Sequence, residues 1–183
     1  MPTGELLTKL SIWLAVLAYV IGTVLALEAR KRPTWHSTAR WVWTTGCALL
    51  LIHVFCAFTY FHHWSHEAAY HQTALQTAAL TGLQWGGGIY FNYLFAAVWL
   101  ADVLWWWLAP ASFHTRPRWL HAAWHTFLFF MVFNGTFVFV HNPMRWIGLL
   151  LCGIVALAWL RYWRRPAERC AEPNGSSPVA DKS

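Results

Sequence analysis

The sequence predicts an all-α polytopic membrane protein: a bundle of five transmembrane helices, with the N-terminus outside and the C-terminus cytoplasmic. Three observations lead there. Of 183 residues, 58% are apolar and only 11% charged, against about 25% charged in a soluble domain. Apolar runs of the length that crosses a hydrocarbon core roughly 30 Å thick recur along the chain. The basic residues also fall on alternating connections between those runs. So little polar surface excludes an ordinary soluble enzyme, a disordered chain and a disulfide scaffold.

The five runs cover residues 10–27, 41–61, 83–108, 119–140 and 146–160, the last extended by Tyr162 and Trp163. Each must be helical in lipid, because a helix satisfies its own backbone hydrogen bonds. The first is expected to stay as a permanent span. Only Lys9 precedes it, whereas Arg30, Lys31 and Arg32 follow it as a stop-transfer cluster. Residues 1–163 form the bundle, and 164–183, rich in Pro, Gly and Ser, are expected to be a short disordered tail.

Orientation follows from the connections. Of the 13 Lys and Arg residues, all but Lys9 and Arg145 fall on one side when the runs alternate. Basic residues mark the cytoplasmic side, and a bacterial cytoplasmic membrane is the expected location. Most of the 15 tryptophans fall near run ends, as interfacial anchors do. Trp43 and Trp106 are assigned to that belt, and only Trp99 and Trp124 lie well inside a run. The expected partner is the lipid bilayer, with other membrane subunits a further class. The formal charge of +6 fits orientation better than nucleic-acid binding, since no basic helix carries interleaved polar readers.

Cys47 and Cys56 lie in one run, about 14 Å apart by helical rise, too far to bridge. With Cys152 they read as small core residues. Gly82, Gly86, Gly87 and Gly88 open the third run. Gly82 and Gly86 have the spacing that permits close helix packing.

Polar groups inside the runs are costly and mark function. His53, Asp102, His121 and His125 are the ionisable ones, joined by Asn92 and Asn134. Asp102 and His125 each lie about 10 Å from the cytoplasmic end by helical rise, on runs joined by a short connection. They are expected to meet directly or through one water. Such a pair suits proton handling, a carboxylate orienting a histidine, or a structural helix–helix bond. His53, Asp102 and His125 are therefore the candidate cofactor-binding residues.

The densest chemical signal is His62, His63, His66, Glu67 and His71, in a connection without Lys or Arg. His141 arrives at the same level from the fourth run. These six are the candidate metal ligands. On a continuous helix His63, Glu67 and His71 share a stripe, and His62 and His66 form a second pair. Imidazole with one carboxylate suits zinc, copper or iron better than calcium or magnesium. Haem b is the other cofactor reading, with His62, His63 or His66 facing His141. The interval from His53 to His66 is similar to the ligand spacing within a helix of two-haem cytochromes b, but Asn134 stands where a fourth histidine would complete that pattern. His62-His63 with His66, and His121 with His125, are superficially similar to the histidine boxes of membrane desaturases and hydroxylases. Here they fall on opposite sides, and the remaining boxes are missing.

The function classes left are a redox-associated or metal- or haem-binding membrane protein, and a non-catalytic structural or assembly subunit of a membrane complex. No catalytic residue is assignable.

Overall fold

The computed structural model describes residues 3–30, 32–140 and 143–164. These form seven α-helices: α1 (Thr3–Ala29), α2 (His36–Ala57), α3 (His66–Thr81), α4 (Gly88–Leu108), α5 (Pro110–Thr115), α6 (Arg118–Phe133) and α7 (Met144–Arg164). Strands are absent among the described residues.

Four helical stretches are long and apolar enough to cross a membrane: Thr3–Ala29, Pro33–His62, Gly88–Leu108 and Met144–Arg164. The fourth predicted run is helical too. It forms the 16-residue α6 and continues into a π-helical turn, Asn134–Val138. It is not among the four, because Arg118, His121, His125 and Asn134 dilute its apolar character.

Helices α1 and α2 form a hairpin, joined through a 3-10 turn at Pro33–Trp35, and pack along most of their length. Helix α4 lies against α2 and α6, and α7 against α1 and the end of α6. At the centre, Tyr19, Trp43 and Trp99 meet with ring centroids 5.1–5.7 Å apart, each at most 2% exposed. Trp43 and Trp106 therefore do not belong to the interfacial belt. Both are buried core residues, because their faces of α2 and α4 turn inward. Trp41, Trp64, Trp119 and Trp146 are exposed, as anchors should be. Cys47, Cys56 and Cys152 are buried free thiols.

The connection after α2 differs from the sequence reading. Helix α2 loosens into a π turn at Phe58–His62, and His63 and Trp64 then take left-handed conformations, with φ 47° and 60°. The chain restarts as α3. Ser65 caps it by accepting from the Ala68 N–H at 3.2 Å. Gly82, at φ 77°, ends it by donating its N–H to the Ala78 carbonyl at 2.8 Å.

The third run begins as helix only at Gly88, not at residue 83. The loop before it passes so close to α3 that a Cβ on Gly86 would stand 2.4 Å from the Tyr70 carbonyl oxygen. Gly82 and Gly86 thus serve as a helix terminator and a close crossing of backbone, not as one small-residue stripe.

Candidate functional site

Helix α5 ends where it does because Pro117 disfavours a helical conformation in the residue before it. Arg116 accordingly takes an extended backbone, φ −56° and ψ 143°. Its side chain turns into the bundle, where only 4% of it is exposed. Nη1 donates to Asp102 Oδ1 at 2.6 Å, and Nη2 lies 3.2 Å from His125 Nε2. The guanidinium also lies over the Phe113 ring, 4.2 Å from its centroid. The second carboxylate oxygen of Asp102 accepts from Trp43 Nε1 at 3.0 Å.

Arginine has only donors. His125 Nε2 is therefore the acceptor of that bond, and the ring is the neutral tautomer with its proton on Nδ1. Asp102 and His125 do share a depth, as predicted. They are joined by a guanidinium instead of the expected direct bond or single water.

A cavity of about 220 Å³ adjoins this network. Its buried end is bounded by Thr23, Trp43, Asp102 and His125. Its outer part is bounded by Arg30 and His114, both exposed, and the half-buried His36. Between the two ends lie Trp106, Phe113, His121 and Trp159. Thr23 and Arg30 are separated by about 10 Å of helical rise on α1, as are Trp43 and His36 on α2. The cavity thus extends from the basic end of the bundle to the Asp102 network.

Its fixed charge is net positive. Asp102 is the only acid among the described lining residues, against Arg30, Arg116 and four imidazoles. The His36 and His114 rings stand 5.2 Å apart, and those of His121 and His125 4.4 Å apart. Burial, and then the positive surroundings of His36, Arg30, Arg116 and Arg40, push His114 below the usual histidine range. Arg30 and Arg116 also lie within electrostatic reach of His121 and His125. The Nδ1 atoms of those two histidines are buried without a hydrogen-bond partner.

The other predicted site residues lie elsewhere. His53 is half-buried, and its Nδ1 bonds the Thr8 carbonyl at 2.9 Å, tying α2 to α1. Asn134 donates to the Phe130 carbonyl of its own helix, not to Asn92. The left-handed residues His63 and Trp64 break the helical register, so the His63–Glu67–His71 stripe does not form and His53 and His66 do not share a helix. His62 packs on Phe58, and His66 bonds the Tyr93 hydroxyl at 3.0 Å. Glu67 and His71 are exposed on α3. His141 lies outside the described residues. Among the described residues, no group of three or more His, Cys, Asp or Glu side chains is placed to hold a metal ion.

Sequence reading missed Arg116, Arg30, His36 and His114 as parts of one site. The two arginines are indistinguishable from topology-setting charges, although Arg116 before Pro117 was a local sign of an inward turn. His36 and His114 flank different spans, and only the packing brings them together. The chain matches no protein-family model, no curated protein and no solved structure.

Proposed function

We propose that this chain is a five-span membrane protein that binds a small organic anion in the cavity at its basic end. The fifth span in this reading is α6 with its π turn, 21 helical residues in all, about 30 Å at α-helical rise. An odd number of spans places the arginine-rich ends together on the cytoplasmic side and the N-terminus outside, in keeping with the positive-inside distribution. The membrane would be a bacterial cytoplasmic one.

The observation that carries the anion is the charge balance around the cavity: the two guanidiniums of Arg30 and Arg116 against the single carboxylate of Asp102, with four imidazoles as hydrogen-bonding groups. A cleft of one sign with low-dielectric walls focuses its field and concentrates counter-ions. Arg116 is already committed to Asp102 and His125, which leaves Arg30 with His36 and His114 as the group that meets the ligand's charge. A metal ion needs at least three converging ligands, and the histidine pairs here offer two at a time.

The test is calorimetric titration of the detergent-solubilised chain with benzoate and inorganic phosphate at low salt. At least one anion should bind saturably. Arg30→Gln and raised salt should each weaken that binding, since the attraction is screened. Absence of saturable binding by both anions would overturn the proposal.

A further inference from the structure

We infer that the anion is a compact aromatic carboxylate, one ring in size; this rests on the anion reading above and specifies its substrate class. Two features of the cavity carry it: the size of the space and the chemistry of its walls.

An apolar cavity of about 150 Å³ takes up benzene. This one measures about 220 Å³, which fits one ring with a carboxylate attached and little more. It falls short of the roughly 300 Å³ at which sites for larger ligands begin. A long acyl chain or a two-ring body would extend past the exposed mouth at Arg30 and His114.

Four large aromatic side chains line the cavity. Trp43, Trp106, Phe113 and Trp159 come from four different helices, α2, α4, α5 and α7. Trp106 and Phe113 stack nearly parallel on one another, with centroids 4.8 Å apart and an interplanar angle of 7°, and the Arg116 guanidinium lies over Phe113, so Phe113 meets the cavity by its ring edge. The stacked pair forms an aromatic panel along the cavity beside Arg30, His36 and His114. A ring among these walls gains aromatic contact beyond its buried area, while its carboxylate reaches toward the guanidinium of Arg30.

The test compares benzoate, cyclohexanecarboxylate and acetate in calorimetric titrations of the full chain in detergent. Cyclohexanecarboxylate carries the same charge and a more apolar body, so area burial alone would favour it. Benzoate should nevertheless bind at least threefold more tightly, and acetate most weakly. Trp106→Leu should abolish the benzoate preference while leaving acid binding sensitive to Arg30→Gln. Should Trp106→Leu elute as an aggregate, Phe113→Leu on the short α5 reads the same panel. Equal affinity for benzoate and cyclohexanecarboxylate, both weakened by Arg30→Gln, would overturn the aromatic class and leave the anion site standing. Failure of all three acids to bind would overturn the anion site itself.

Discussion

Asp102 and Arg116 form an ion pair 2.6 Å long whose side chains are 1% and 4% exposed. Asp102 sits on α4 and Arg116 in the segment that enters α6, so the pair joins two helices at the basic end. Trp43 and His125 satisfy further polar atoms of the same network. Removing one partner of a buried pair leaves the other charged and alone, at a cost of about 3–5 kcal/mol. Asp102→Leu and Arg116→Leu should each destabilise the protein by that order. Asp102→Asn should be milder than Asp102→Leu, because the amide keeps polar partners for Arg116 and Trp43. Joint replacement of both residues should cost well under the sum of the single effects, as coupled neighbours do. Reversible denaturation in mixed micelles measures all four variants. Additive losses would mean that the pair does not act as a unit.

Much of the fold was legible in the sequence, and the reasons are physical. Apolar run length reports helix length directly, so α1, α2, α4 and α7 fall where the runs are. Depth counting placed Asp102 level with His125, because helical rise is constant. What could not be read was rotation about each helix axis. In lipid the outward face is as apolar as the core, so pattern does not say that Trp43 faces inward while Trp41 faces out. Helix α3 escaped for a different reason. Its Ala, Gln and Leu residues favour helix, but they carry no clear apolar stripe, and the histidines before it drew a metal-ligand reading instead. Its caps, Ser65 and Gly82, were visible signals that went unused.

The crossing of α3 over the loop before α4 gives a second prediction. A methyl group at Gly86 would meet the Tyr70 carbonyl oxygen at 2.4 Å and the Tyr70 ring at 2.6 Å. Backbone cannot move aside as a flexible side chain can, so Gly86→Ala should cost about 1–3 kcal/mol, the range for overpacked sites. Gly135, in the π turn after α6, has no atom within 4 Å of the same added group. Gly135→Ala should be neutral, or stabilising by up to about 1 kcal/mol through helix propensity. Thermal denaturation of the two variants side by side makes the comparison. Equal destabilisation would show that α3 does not hold this close position.

His114 supplies the pH dependence. Burial, followed by His36, Arg30, Arg116 and Arg40, lowers its proton affinity in the folded chain. The unfolded chain, with histidine near about 6.5, then binds the proton more readily than the folded one. Stability is therefore full above that value and falls as the pH drops through it, because protonation favours unfolding. His114→Gln should flatten the acid limb of a stability–pH curve between about pH 7 and 5. A bound anion would offset the added positive charge, so benzoate should also reduce the acid loss. A curve unchanged by His114→Gln would remove this residue from the acid response.

The last prediction concerns how the chain threads the membrane, where α6 is decisive. If α6 with its π turn crosses the bilayer, the two termini lie on opposite sides, and a reporter after Ser183 should be cytoplasmic while a tag before Met1 is external. If only the four more apolar helices cross, both termini fall on one side. The basic residues favour the first arrangement. With five spans, Lys9 and Arg145 alone lie opposite the other Lys and Arg residues. Without the crossing by α6, the 116–118 arginines and the C-terminal arginines would be separated by α7 and lie on opposite sides. The packing of α6 and α7 supports the same reading. Arg30, the residue after α1, hydrogen-bonds Tyr162 near the end of α7, and Trp159 lines the same cavity as His36, His114 and His121. The C-terminal end of α7 thus stands at the same end of the bundle as the C-terminal end of α1. Helix α7 begins beside the π turn after α6, with Gly148 against Thr136, so α6 and its turn traverse the bundle before α7 returns. Single-cysteine labelling from each side of sealed vesicles, at positions 2, 68, 112 and 180 of a chain stripped of its native cysteines, resolves the alternatives. Labels at 2 and 68 should be accessible from outside, and those at 112 and 180 from inside. Labels at 2 and 180 accessible from the same side would refute the five-span arrangement.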